Sequence, residues 1–155
     1  MFSTLANCSF LENLSLSCTP GKCCIEPSVT MSTMEPEFIQ GIHLFNSQRY
    51  FEAHEALEAV WLKATGDRRT LLHGLIQAAA AFHHYTRNNS EGFHSLLEKG
   101  HAKLASLGNE FEGLDLAAFT AQLQPWRDST IANSLPLPEP PLLPQIRLTS
   151  GADRN

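Results

Sequence analysis

Past residue 24 the chain has no cysteine; its four thiols, Cys8, Cys18, Cys23 and Cys24, all precede that point. The body therefore has no disulfide framework and no thiolate-ligated zinc, which fits a reducing compartment. Near the N-terminus, Cys18 and Cys23 are spaced too far apart for a zinc chelate, and the adjacent Cys23 and Cys24 cannot readily close one together. No apolar run approaches the roughly 20 residues of a membrane span. Basic residues are few: 11 Lys and Arg against 16 Asp and Glu give a net charge of −5. Phosphate binding needs clustered cations, so the charge argues against a nucleic-acid face. A phosphate-cradling glycine loop, a nucleophile elbow and a Cys–His dyad are also lacking. These absences lead to the expectation of a soluble, cytoplasmic protein with no nucleic-acid and no membrane partner.

What is present is helical periodicity. At 155 residues, 43% hydrophobic and 17% charged, the chain has the size and composition of one globular domain with tails. Residues 1–34 read as a disordered leader, rich in Ser, Cys and Asn, without the basic and apolar regions of a secretory signal. Met31 and Met34 stand just before the first helical pattern, and translation is expected to start at one of them. The expected helical bundle spans residues 35–128, and a proline-rich arm spans 129–155.

The spacing predicts helices near residues 36–47, 50–65 and 68–87, a fourth that follows a turn and cap at 88–91 and runs to about 107, and a fifth capped by Asp115 and ended by Pro125. Gly66 should stop the second, Asp67 cap the third, and Leu114 and Phe119 staple the fifth. The third is apolar nearly all round, so it must be the central helix. No segment alternates like a half-buried strand. Leu137, Leu142, Leu143 and Ile146 are expected to pin the arm. Trp61 and Trp126 read as core anchors, Arg68 and Arg69 as a solvated loop end, and His83, His94 and His101 as solvent-facing or boundary positions.

Tyr50-Phe-Glu-Ala-His54-Glu55-Ala-Leu-Glu58-Ala-Val-Trp61 carries most of the chemistry. His54 lies at the edge of its apolar face, with Glu58 one turn on. On the central helix, His73, Gln77, Ala80 and His84 fall within about 60° of one another and form its only polar stripe. An antiparallel pairing of the two helices would bring that stripe to His54 and Glu58. The candidate cluster is His54, Glu55, Glu58, Trp61, Gln77 and His84. In one account these groups hydrogen-bond to each other and lock the helix register. In the other, His54, Glu58 and His84 ligate a divalent metal. The order His-Glu-x-x-Glu matches neither the zincin motif nor the Glu-x-x-His of di-iron bundles.

Gly41-Ile-His-Leu-Phe45-Asn46, the Tyr50–Trp61 motif and Gly74-Leu-Ile-Gln77-Ala-Ala together resemble the family called domain of unknown function 309. The resemblance covers roughly residues 35–107, and a proline-rich arm is similar as well. It implies an all-α fold and carries that family's polar positions onto His54, Glu55, Glu58, Trp61 and Gln77. It implies no activity, substrate or cofactor.

The expectation is an all-α five-helix bundle with a central apolar helix. Its leading functional reading is a non-enzymatic module in which the His/Glu/Gln cluster organises a groove for a small ligand or a protein partner. The alternative is a metal-dependent hydrolase with His54, Glu58 and His84 as ligands and Glu55 as general base. The sequence does not decide between enzyme and binding module, and it leaves a bound divalent metal and a homodimer open.

Overall fold

Apolar residues at helical spacing build α1 (Pro36–Asn46), α2 (Tyr50–Trp61), α3 (Gly66–Thr86), α4 (Ser90–Ala105) and α5 (Leu116–Asp128). A computed structural model describes residues 35–129 and 140–149. The expected leader, residues 130–139 of the arm and its last residues, 150–155, lie outside the described residues. Among the described residues the fold is all-α, with one small β-hairpin.

Pro36 opens α1, where its missing N–H costs no helical hydrogen bond. Phe38, Ile42 and Phe45 form the buried stripe of α1. A three-residue connection (47–49), with Gln48 at φ 62, reverses the chain into α2. The two helices meet closely at Gly41, where a Cβ would lie 2.7 Å from Leu57 Cγ.

The passage into α3 differs from expectation. α2 ends at Trp61, and Gly66, at φ 58, is the first residue of α3 instead of the stop of α2. Thr65 takes the cap position without a side-chain bond, so Asp67 sits in the first turn and does not cap. Its charge still suits the positive end of the helix. Nor are the two arginines solvated. Arg68 pairs with Glu112 and, at 3.7 Å, with Glu35, and it stacks on Phe38. Arg69 Nη1 donates to the carbonyls of Trp61 (3.2 Å) and Ala64 (3.1 Å), at and just beyond the end of α2.

α3 is the central helix. It buries Leu71, Leu72, Leu75, Ile76, Ala78, Ala79, Ala81 and Phe82, and packs most extensively on α4 and then on α2. The Phe82 ring meets Phe45 of α1, Tyr50 of α2, Phe93 of α4 and Trp126 of α5, with centroids 5.2–6.1 Å apart. One side chain thus ties all four surrounding helices to the axis of the bundle.

Asn89 caps α4 and Asp115 caps α5, each side chain accepting a backbone N–H within the first turn. Leu114 and Phe119, the expected staple, are both buried. Pro125 does not end α5, which continues to Asp128. Pro125 and Ala121 are both exposed, so the carbonyl that loses its helical partner faces solvent.

The hairpin was not legible as strand. β1 (Glu110–Phe111) and β2 (Leu114–Asp115) pair antiparallel around Glu112 and Gly113, at φ 48 and 73. That two-residue turn has the positive dihedrals that suit the twist of a hairpin. Leu148 of the arm forms a bridge to Leu114.

The arm docks differently from expectation. Ile146 is 4% exposed and Pro144 is buried, whereas Leu142 is 93% exposed. Leu143 is exposed too, and Leu137 lies outside the described residues. Polar side chains that read the arm's backbone do the holding. Asn46 and Gln122 each make paired bonds to main-chain N–H and C=O groups, of Ile146 and Gln145 respectively. Trp126 Nε1 donates to the Leu142 carbonyl at 3.1 Å.

Candidate functional site

α2 and α3 run antiparallel, so each part of the α2 motif has an opposite number on the α3 stripe. At one end Trp61 meets His73, with ring centroids 5.6 Å apart. At the other end His54 shares a surface depression with Ala80 and His84. Gln77 falls between these two ends on α3. His54, Trp61, His73, Gln77 and His84 are all half-buried, whereas Glu55 and Glu58 are exposed.

The expected hydrogen-bonded lock does not form. His54 Nδ1, Trp61 Nε1 and Gln77 Oε1 are buried and have no hydrogen-bond partner among the described residues. They make up three of the four such side-chain atoms among the described residues; the fourth is His94 Nδ1. Each unpaired buried polar atom costs about 1–3 kcal/mol, so the seam is held against its own stability. Ion pairs among the described residues involve Glu35, Glu52, Glu98 and Glu112, not Glu55 or Glu58. Among the described residues no three His, Cys, Asp or Glu side chains are grouped to hold a metal ion. His54 and His84 line one depression, and Glu58 is not part of its wall.

The depression measures about 180 Å³ and is lined by Phe51, His54, Ala80, His83 and His84. Phe51 is 52% exposed, and its ring lies 5.4 Å from that of His83. Burial pushes His83 below the usual imidazole range, helped by Arg87, His84 and His54 and opposed by Glu52. Phe51 and His83 were missed in the sequence. Phe51 occupies an outward helical position, where an aromatic residue among glutamates was the available signal.

The geometry also fixes the chemistry of His84. Asn89 Oδ1 accepts the Gly92 N–H at 3.0 Å, which sets the orientation of the amide. Its Nδ2 therefore faces His84 Nδ1, 3.1 Å away. An amide nitrogen only donates, so Nδ1 is the acceptor and the neutral ring carries its proton on Nε2. Gly92 permits this placement, since a Cβ there would lie 2.8 Å from His84 Cγ.

At the Trp61 end a cation covers the indole. The Arg69 guanidinium lies 3.9 Å from the ring centroid, a favourable cation–π geometry. Burial, followed by Lys103 and Arg69, lowers the proton affinity of the neighbouring His73. Trp61 is accordingly a wall of the seam and only partly a core anchor. Trp126, by contrast, is fully buried.

No helix among the described residues is long and apolar enough to cross a membrane. Residues 38–96 match the family described as Domain of unknown function (DUF309). An uncharacterized protein of Aquifex aeolicus (strain VF5) is 28% identical over 83 residues. The match takes in 53% of this chain and only 25% of that relative. The matched family segment contains α2, α3 and every residue of the candidate seam.

Proposed function

We propose that this protein is a non-enzymatic helical module that binds a small ligand or a protein partner along the seam between α2 and α3. The observation that carries the reading is the concentration of unpartnered buried polar atoms there: His54 Nδ1, Gln77 Oε1 and Trp61 Nε1. Buried polar groups are nearly always hydrogen-bonded, and exceptions call for an explanation such as a functional site. Such a site is kept at the expense of stability. The adjoining depression provides a point of access, and the exposed Glu55 and Glu58 stand beside it on α2.

Amide-correlation NMR of the full chain, titrated with benzoate, benzamide and benzylamine, tests the reading. Saturable shifts confined to α2 and α3 with at least one probe are the expected result. Shifts that are absent, or that fall on other helices, would overturn it.

A further inference from the structure

The α2–α3 depression has a specific hydrogen-bonding character. Among the described residues its wall holds three imidazoles, one aromatic ring and a methyl group, and no carboxylate. Glu52, the acidic residue that acts on His83, is engaged by Arg49 at 3.1 Å. Asn89 occupies His84 Nδ1, so the neutral His84 has an Nε2–H donor left to offer. His54 Nδ1 is buried without a partner, and stranding a lone pair there costs less than stranding a proton. His54 thereby presents an Nε2–H donor as well. The volume of about 180 Å³ lies below the roughly 300 Å³ at which pockets for drug-sized ligands begin. It suits a molecule of about one ring.

We propose that this depression binds a small carboxylate with a flat apolar body. The carboxylate oxygens accept the Nε2–H groups of His54 and His84, and the body lies against Phe51 and Ala80. Asn89 is a positioning residue that sets the tautomer through His84. The inference rests on the ligand-binding reading above and narrows it to one chemical class.

The test is long-range nitrogen–proton NMR of the imidazoles in the full chain, with benzoate as the probe. Neutral His84 should carry its proton on Nε2, and benzoate should shift the His54 and His84 ring signals saturably. A neutral His84 protonated on Nδ1, or rings that ignore benzoate, would overturn the proposal. Binding of benzylamine or benzamide in place of benzoate would defeat the carboxylate class and leave the seam reading standing. Silence to all three probes would defeat both. Asn89→Asp keeps a capping oxygen but replaces the amide donor with an acceptor, so the neutral His84 proton should move to Nδ1. Benzoate affinity, read at a pH where the ring is neutral, should then fall about tenfold. An unchanged tautomer or an unchanged affinity would contradict the assigned role.

Discussion

Asn46 and Ile146, a hundred residues apart, are joined like neighbouring strands: Nδ2 donates to the Ile146 carbonyl at 2.9 Å, and Oδ1 accepts the Ile146 N–H at 2.8 Å. Gln122 repeats the arrangement with Gln145 at 3.3 and 3.0 Å. The arm is therefore held by carboxamides that substitute for a β-ladder, with Ile146 as its buried anchor.

Asn46→Ala should release this clasp. Two part-buried bonds are lost and the arm's backbone groups become unpaired, so a loss of about 1–3 kcal/mol is expected. Hydrogen exchange at the Ile146 amide should accelerate in step. Leu142→Ser, at a side chain 93% exposed, should change neither reading. Equal effects of the two substitutions would refute this view of the clasp.

The α3–α4 crossing offers a second prediction. A Cβ on Gly100 would meet backbone, with Gly74 O at 3.0 Å and Ala78 N at 3.2 Å. A Cβ on Gly74 would meet the Leu104 side chain at 2.8 Å and Gly100 O at 3.3 Å. Side chains yield more readily than backbone, so Gly100→Ala should be the more destabilising, by about 1–3 kcal/mol in urea unfolding. The reverse order would show that the crossing is not limited by main-chain approach.

Acid should weaken the fold before the carboxylates titrate. Burial lowers His73, His83, His94 and His101 below the ordinary value of 6.5. Below that value the unfolded chain takes up protons that the native state resists, so stability rises with pH. The contribution is complete above 6.5 and is lost as pH falls through the folded values. At the alkaline end Tyr50 is pushed up to about 12 by burial and by Tyr85. The unfolded chain ionises first, from 10, so stability should fall between 10 and 12. Melting temperatures across this range check both limbs; a curve flat from neutrality to about pH 5.5 would contradict the acid limb.

The sequence disclosed the helices because each repeats its apolar residues at a period of 3.6 over three turns or more. Asp115 was recognisable as a cap from residue type and position. The six-residue hairpin was not legible, since alternation cannot register over two-residue strands. Pro125 misled because its exposed position lets the helix tolerate a lost bond. The arm leucines misled because main-chain contacts, invisible in composition, decide which way they face. Arg68 and Arg69 found partners on other elements, Glu112 and the end of α2, that no local pattern reveals. At the site, helical geometry located His54, Trp61, Gln77 and His84 on one seam. It could not show that their polar atoms stand apart from one another, nor that Phe51 and His83 complete the wall.

The account turns on polar atoms that lack partners in the free protein, and Gln77 offers the most direct test. Met is similar in size, unbranched and without a buried acceptor. Thermal unfolding of the full chain carrying Gln77→Met should show stability unchanged or raised, by up to about 1–3 kcal/mol. A drop of about 1 kcal/mol or more would mean that Oε1 is already bonded within the fold, and the seam would be a structural lock after all.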